Sequence, residues 1–195
     1  MRYYIISTGD GTTTTGTNII SVKDTGVTPA KLSFGTWQKV SETTVGSNSQ
    51  TVSLTSLDLD TAKAYLLILD IKNVSGAAAT YSLFYNTDST ATNYYNDMSN
   101  DASPITKTRA NTGLAFASGN NNLCTFVQIE ILRDVDGYPV AIIRSNQDGD
   151  STATTVRVGA HSATTAANVT SIQITGSAAA SIAQNSRIFL FRLSA

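Results

Sequence analysis

The chain has 195 residues, 14% of them charged, a formal net charge of −1 and a single cysteine, Cys124. That length allows one large domain with a full core. The charge balance removes the clustered cations that nucleic-acid binding needs, and the lone thiol excludes an intrachain disulfide.

Glutamate occurs only at Glu42 and Glu130, while Thr, Ser, Asn, Asp and Ala fill the polar positions beside eight Tyr and six Phe. Such a composition disfavours long helices and suits half-exposed sheets, where β-branched and aromatic side chains pack well. Residues 1–35 read as an attachment arm and 36–195 as the folded domain. In the arm, two short β-like pieces at 3–7 and 19–23 flank Gly9-Asp10-Gly11 and the Thr tract 12–15, a flexible stretch that becomes ordered on a neighbour or folds back as a frayed hairpin. The leading apolar run is too short for a signal peptide and no 18-residue apolar stretch follows, so the expectation is synthesis in a host cytoplasm without a signal peptide or membrane span.

From Trp37 onward, alternating apolar runs separated by turn residues predict about nine strands, near 37–44, 50–55, 64–73, 80–86, 123–133, 138–145, 152–160, 169–175 and 187–193. Tyr65, Leu67, Leu69 and Ile71 share one face, while Leu66 and Ile68 make the other face of that strand apolar as well. Leu123, Thr125, Val127, Ile129 and Ile131 form a second inward row, and Phe189, Phe191 and Leu193 a third. Cys124 reads as a small core residue. Residues 177–184 form one short helix or a broad turn. These signals predict an all-β fold: an antiparallel two-sheet sandwich, jelly-roll-like rather than immunoglobulin-like.

Asp134-Val135-Asp136-Gly137 joins two of these strands. Its carboxylates resemble the start of a calcium loop, but Tyr138-Pro139-Val140 re-enters a strand where further oxygen ligands belong. The preferred reading is therefore a tight turn, with Asp134 and Asp136 as weak metal candidates and calcium the only cofactor considered. Asp148-Gly149-Asp150 is a second turn of this kind. His161 is the sole histidine and has no nucleophile motif around it, and Glu130 and Glu42 have no partner carboxylate, so no catalytic set is identified and the chain is expected not to be an enzyme.

The run from Tyr81 to Asp97 is richer. Tyr81, Leu83 and Tyr85 suit a core, whereas Asn93, Tyr94, Tyr95 and Asn96 combine ring faces with amide edges, the chemistry of glycan and protein contacts. The long segment 98–122 has weak periodicity and reads as an interface loop pinned to the domain by Leu114 and Phe116.

Several stretches carry a family resemblance. Residues 50–60, 65–73, Tyr81-Ser82-Leu83-Phe84-Tyr85-Asn86, Asn93-Tyr94-Tyr95-Asn96, Arg133-Asp134-Val135-Asp136-Gly137-Tyr138-Pro139, 168–174 and 187–192 resemble proteins encoded among the structural genes of tailed bacteriophages and prophages. The resemblance covers 37–193 and implies a β-sandwich component of a virion: a head decoration, head-fibre or tail-fibre protein. It implies a homo-oligomer, a trimer among the candidate states, bound through its arm to the major capsid protein or another virion protein. The alternative reading is a carbohydrate- or host-receptor-binding module of a tail fibre, with a host-surface glycan as partner.

Overall fold

The computed structural model describes residues 12–15, 19–22, 37–90, 92–98, 106–111, 113–147, 154–162 and 168–193. It divides into two units, Met1–Thr36 and Trp37–Ala195. In the first, β1 (Thr12–Thr15) pairs antiparallel with β2 (Ile19–Val22), Thr12 opposite Val22 and Thr15 opposite Ile19. The Thr tract, expected as a flexible stretch, is thus a strand, consistent with the β preference of branched side chains. The β-like piece expected at 3–7 lies outside the described residues.

The second unit begins with β3 (Trp37–Thr44), β4 (Thr51–Leu54), β5 (Ala64–Lys72), β6 (Ala79–Tyr85), β7 (Tyr94–Met98) and β8 (Thr106–Asn111). It continues with β9 (Leu114–Gly119), β10 (Cys124–Arg133), β11 (Pro139–Gln147), β12 (Thr154–Ser162), β13 (Ile172–Gly176) and β14 (Arg187–Leu193). One sheet has the order β3-β14-β5-β10-β11-β12-β7-β8 and the other β4-β13-β6-β9. Successive strands β3/β4, β5/β6, β9/β10 and β13/β14 cross from one sheet to the other. The interleaved orders β3-β14-β5-β10 and β4-β13-β6-β9 that result are the winding of a jelly roll. Two hairpin insertions, β7-β8 and β11-β12, continue the larger sheet beyond β10.

Strand alternation fills the space between the sheets. Tyr65, Leu67, Leu69 and Ile71 of β5, with Val127, Ile129 and Ile131 of β10, meet Tyr81 and Leu83 of β6 and Ile172 and Ile174 of β13 in one buried cluster. These inward rows, including Tyr81, Leu83 and Tyr85, are those the sequence predicts. The third row is reversed: on β14, Ile188 and Leu190 are buried, and Phe189, Phe191 and Leu193 face the other way. Cys124 is half-buried, on the same outward parity as Phe126, rather than in the core.

The segment expected as a long loop contains β8 and β9, and Leu114 and Phe116 are fully buried. Residues 177–184 turn without a helix and end in a bridge between Ile182 and Ser49.

At one end of the sandwich the connections are tied by side-chain amides and carboxylates. Asp58 Oδ1 accepts from the backbone N–H of Asp60 and Thr61 (3.2 Å each) and from Asn168 Nδ2 (2.9 Å). Asn86 Nδ2 donates to Asn168 O (2.6 Å) while its Oδ1 accepts from Thr170 N (2.8 Å). Hydrogen bonds from Thr61 and then Asn168 hold the Asp58 carboxyl below its usual range. A depressed folded-state value means that this stabilisation is complete above the unfolded carboxylate value of about 4 and fades as pH falls through the folded one. Melting temperature should therefore decline below about pH 4, and the decline should be shallower in Asp58→Asn, which has no such proton to gain.

Candidate interaction face

Side chains singled out from the sequence as ligand contacts are largely internal. Tyr94 has no exposed surface; its hydroxyl donates to Asp88 O (2.7 Å) and accepts from Tyr85 N (3.1 Å), and burial pushes its pKa up to about 12. Asn93 Nδ2 donates to Asp88 Oδ2 (2.7 Å). Asn96 is buried, its amide oxygen accepting from Ala115 N (3.0 Å) and its nitrogen donating to Tyr95 O (3.1 Å). Asn93 and Tyr94 thus hold Asp88 in the connection after β6, Asn96 ties β7 to Ala115 of β9, and both Tyr94 and Asn96 are buried. The connection is strained, since Thr87 and Thr92 adopt φ of 59° and 87°, values that branched residues rarely take. Tyr95 is half-buried, with His161 opposite it across β7 and β12.

The turn at 134–137 is resolved by its own hydrogen bonds. Asp134 Oδ1 accepts from Asp136 N (3.0 Å) and Tyr138 N (2.8 Å), and Gly137 takes φ of 86°. The Asp134 carboxylate thus caps the hairpin in an Asx turn. Among the described residues, no group of three or more His, Cys, Asp or Glu side chains converges to hold a metal ion.

The outer face of the larger sheet stands out instead. Residues directly opposite across paired strands share a face, so the registers of β3, β14, β5, β10 and β11 define its rows. One row reads Thr44, Arg187, Asp70, Phe126, Asn146, and the next Glu42, Phe189, Ile68, Gln128, Arg144. The third reads Lys39, Phe191, Leu66, Glu130, Ile142, and the fourth is Trp37, Leu193 and Ala64 on one side with Leu132 and Val140 on the other. An antiparallel sheet normally turns polar residues to water on the face away from the core. Here Phe189, Phe191, Leu66 and Ile68 fill the middle, Phe126 is 52% and Ile142 37% exposed, and charges stand mainly around them.

The charges are partly paired. Arg187 bonds Asp70 at 2.9 Å and lies 5.9 Å from the Phe189 ring centroid, and Lys39 bonds Glu42 at 3.1 Å. An open depression of about 330 Å³ lies beside Phe126, lined by Asp70, Cys124, Phe126 and Asn146.

The opposite outer face, on the smaller sheet, has another character. Thr51, Thr175 and Ser82 make one row, and Ser53, Gln173 and Phe84 the next. These are short uncharged polar groups around one ring, with Thr51 and Thr175 hydroxyls 3.3 Å apart. An apolar centre inside a charged surround is the anatomy of a protein interface, and only the larger sheet presents it.

The reversed parity on β14 is why the sequence reading missed this face. Its signal was present in Leu66 and Ile68, apolar on the side away from the Tyr65 row.

No protein-family model and no curated protein matches the sequence. Among solved structures, the chain is similar to the marine PL-14 alginate lyase from Aplysia kurodai at 9% identity and a TM-score of 0.31, over 78% of this chain and 80% of that one. It is similar to alginate lyase Aly36B in complex with alginate trisaccharide at 10% identity and a TM-score of 0.29, over the same shares of both chains. A protein of unknown function from Shewanella oneidensis MR-1 is similar at 13% identity and a TM-score of 0.24, over 83% of this chain and 77% of that one. The expectation that the chain is not an enzyme is corrected by these matches, because two of the structures it aligns with are lyases. A likeness at these TM-scores carries no activity to this chain.

Proposed function

We propose that this chain is a structural subunit of a tailed-phage or prophage particle, a capsid decoration or head-fibre component, whose sandwich offers the outer face of its larger sheet to a protein partner. The observation that carries the reading is the apolar middle of that face. Phe189, Phe191, Leu66 and Ile68 are set in a charged surround, whereas the smaller sheet turns Thr, Ser and Gln outward. Removing such surface from water stabilises an assembly by roughly 25 cal/mol per Å² of apolar area, before the costs of association. The resemblance of residues 37–193 to virion sandwich proteins supplies the setting, and residues 1–35 are the arm that meets the capsid or another virion protein.

A glycan-binding role would have drawn on Tyr94 and Asn96, and their burial favours the structural reading over it. Density-gradient purification of particles from cells producing this chain, followed by mass spectrometry of the particle band, tests the proposal. The expected result is the chain in the band at fixed stoichiometry, lost when residues 1–18 are deleted from an otherwise folded chain. A full-length chain found wholly in the soluble fraction overturns the reading.

A further inference from the structure

We infer that the outer face formed by β3, β14, β5, β10 and β11 packs against the same face of a second copy of this chain. The two-fold axis runs across the strands, between the row of Phe189 and the row of Phe191. This names the partner of the face and rests on its reading as a protein interface.

The argument is one of self-complementarity. A two-fold axis in that position lays each row of one copy over the mirrored row of the other, strand on like strand. Phe189 then stands over Phe191, Ile68 over Leu66, and Phe126 over Leu132, so the apolar centre on β14 and β5 meets its like, while Gln128 stands over Glu130 and the charges of Arg144, Arg187 and Asp70 fall toward the margins, over Ile142, Leu193 and Ala64. On β3, Glu42 stands over Lys39 of the other copy and Lys39 over Glu42, so the intrachain pair at 3.1 Å becomes a four-charge cluster of alternating sign.

The charges on the face nearly cancel. Lys39, Lys72, Arg144 and Arg187 stand against Glu42, Asp70 and Glu130, an excess of one positive charge per copy, so two copies approach with little net repulsion. The alternative axis, along β5, places Glu130 over Phe191 and Gln128 over Phe189. It strands polar groups on rings.

The area is sufficient for a reversible dimer. Five strands about 4.8 Å apart and seven residues long at about 3.4 Å each give roughly 600 Å² per copy, or about 1,200 Å² in total, the lower bound of specific interfaces.

Sedimentation equilibrium of the full chain from about 1 to 200 μM tests the inference, over a range set by the micromolar affinity such an area supports. The expected result is a monomer–dimer equilibrium in that range. Phe191→Glu and Phe189→Lys should each weaken it at least tenfold, and an equimolar mixture of the two variants should recover dimer. In the mixed pair one contact becomes Lys against Glu while the other keeps both rings. Gln173→Glu, on the smaller sheet, should leave it unchanged, and far-UV circular dichroism with urea midpoints confirms that each variant is folded. A chain monomeric throughout, a dimer indifferent to both Phe variants, or a mixture that stays monomeric overturns the inference. A monomeric chain that still bands with particles leaves the virion reading standing and places a virion protein on the face. A dimer absent from particles removes the virion reading alone.

Discussion

Replacing Leu190 with Glu is expected to unfold the sandwich, while the same change at the adjacent Phe191 leaves it folded. Leu190 is 1% exposed between the sheets, whereas Phe191 lies half-buried on the outer face opposite Lys39 and Leu66. Deleting a buried leucine side chain costs about 2–5 kcal/mol, and enclosing a carboxylate without a partner adds to that. The sum rivals the whole stability of a typical domain, about 5–15 kcal/mol. At Phe191 the introduced carboxylate keeps water on one side and gains Lys39 as a cross-strand neighbour, so the expected loss is about 1 kcal/mol or less. Dimerisation adds a concentration-dependent part, because a variant that no longer associates loses the stabilisation that mass action gives the parent. Urea midpoints measured at several protein concentrations separate the two effects. Equal losses at Leu190 and Phe191 would put the ring inside the sandwich and remove the face.

That pair of residues also shows what the sequence could and could not disclose. The alternation of β5 and β10 is unambiguous, since Tyr65, Leu67, Leu69 and Ile71 oppose a mixed row and Val127, Ile129 and Ile131 alternate with Gln128 and Glu130. On β14 both parities are apolar, Ile188 and Leu190 against Phe189, Phe191 and Leu193, and periodicity alone assigns no inside. Side-chain size points to the aromatic row as core. The register with β5 decides otherwise, placing Leu190 opposite Leu67 and Phe191 opposite Leu66.

β7 and β8 were hidden for a different reason. Asn96, Thr106, Thr108 and Asn111 are polar residues held in strands by ladder pairing, a non-local contribution that no short window reveals. Tyr94 and Asn96 look like surface chemistry because Tyr and Asn so often are. Their burial follows from distant backbone partners: the Tyr94 hydroxyl donates to Asp88 O and accepts from Tyr85 N at the end of β6, and the Asn96 amide accepts from Ala115 N on β9. The turn at 134–137 was legible because Asp at its first position and Gly at its last carry their own local mechanism.

A second large effect is expected at Asn73, where an isosteric change should act through hydrogen-bond polarity alone. Asn73 has no exposed surface and follows the end of β5. Its Nδ2 donates to Ala77 O (2.7 Å) and Gly119 O (2.8 Å), and its Oδ1 accepts from Ser75 N (2.9 Å) and Ser75 Oγ (2.8 Å). The Gly119 bond ties β5 of the larger sheet to β9 of the smaller one. In Asn73→Asp the shape is kept, but an acceptor faces two carbonyl oxygens where a donor stood. Two buried hydrogen bonds become two repulsions around a desolvated charge, a change expected to cost about 3–5 kcal/mol at neutral pH.

Burial and the facing carbonyls raise the pKa of the introduced carboxyl in the folded state above its unfolded value of about 4, so the penalty depends on pH. Below the unfolded value both states are protonated, and a neutral carboxyl can donate to one of the two carbonyls. As pH rises the unfolded state ionises freely while the folded state resists, so the deficit grows until pH passes the folded value. The difference in unfolding free energy between variant and parent, from urea titrations at pH 7.5 and about pH 4, should shrink by at least half at the lower value. Asn73→Ala is the control, because it loses the same donors without a titrating group and its deficit should change little between the two conditions. A pH-independent deficit in Asn73→Asp would mean that the amide does not donate to Ala77 and Gly119, and that the link between β5 and β9 lies elsewhere.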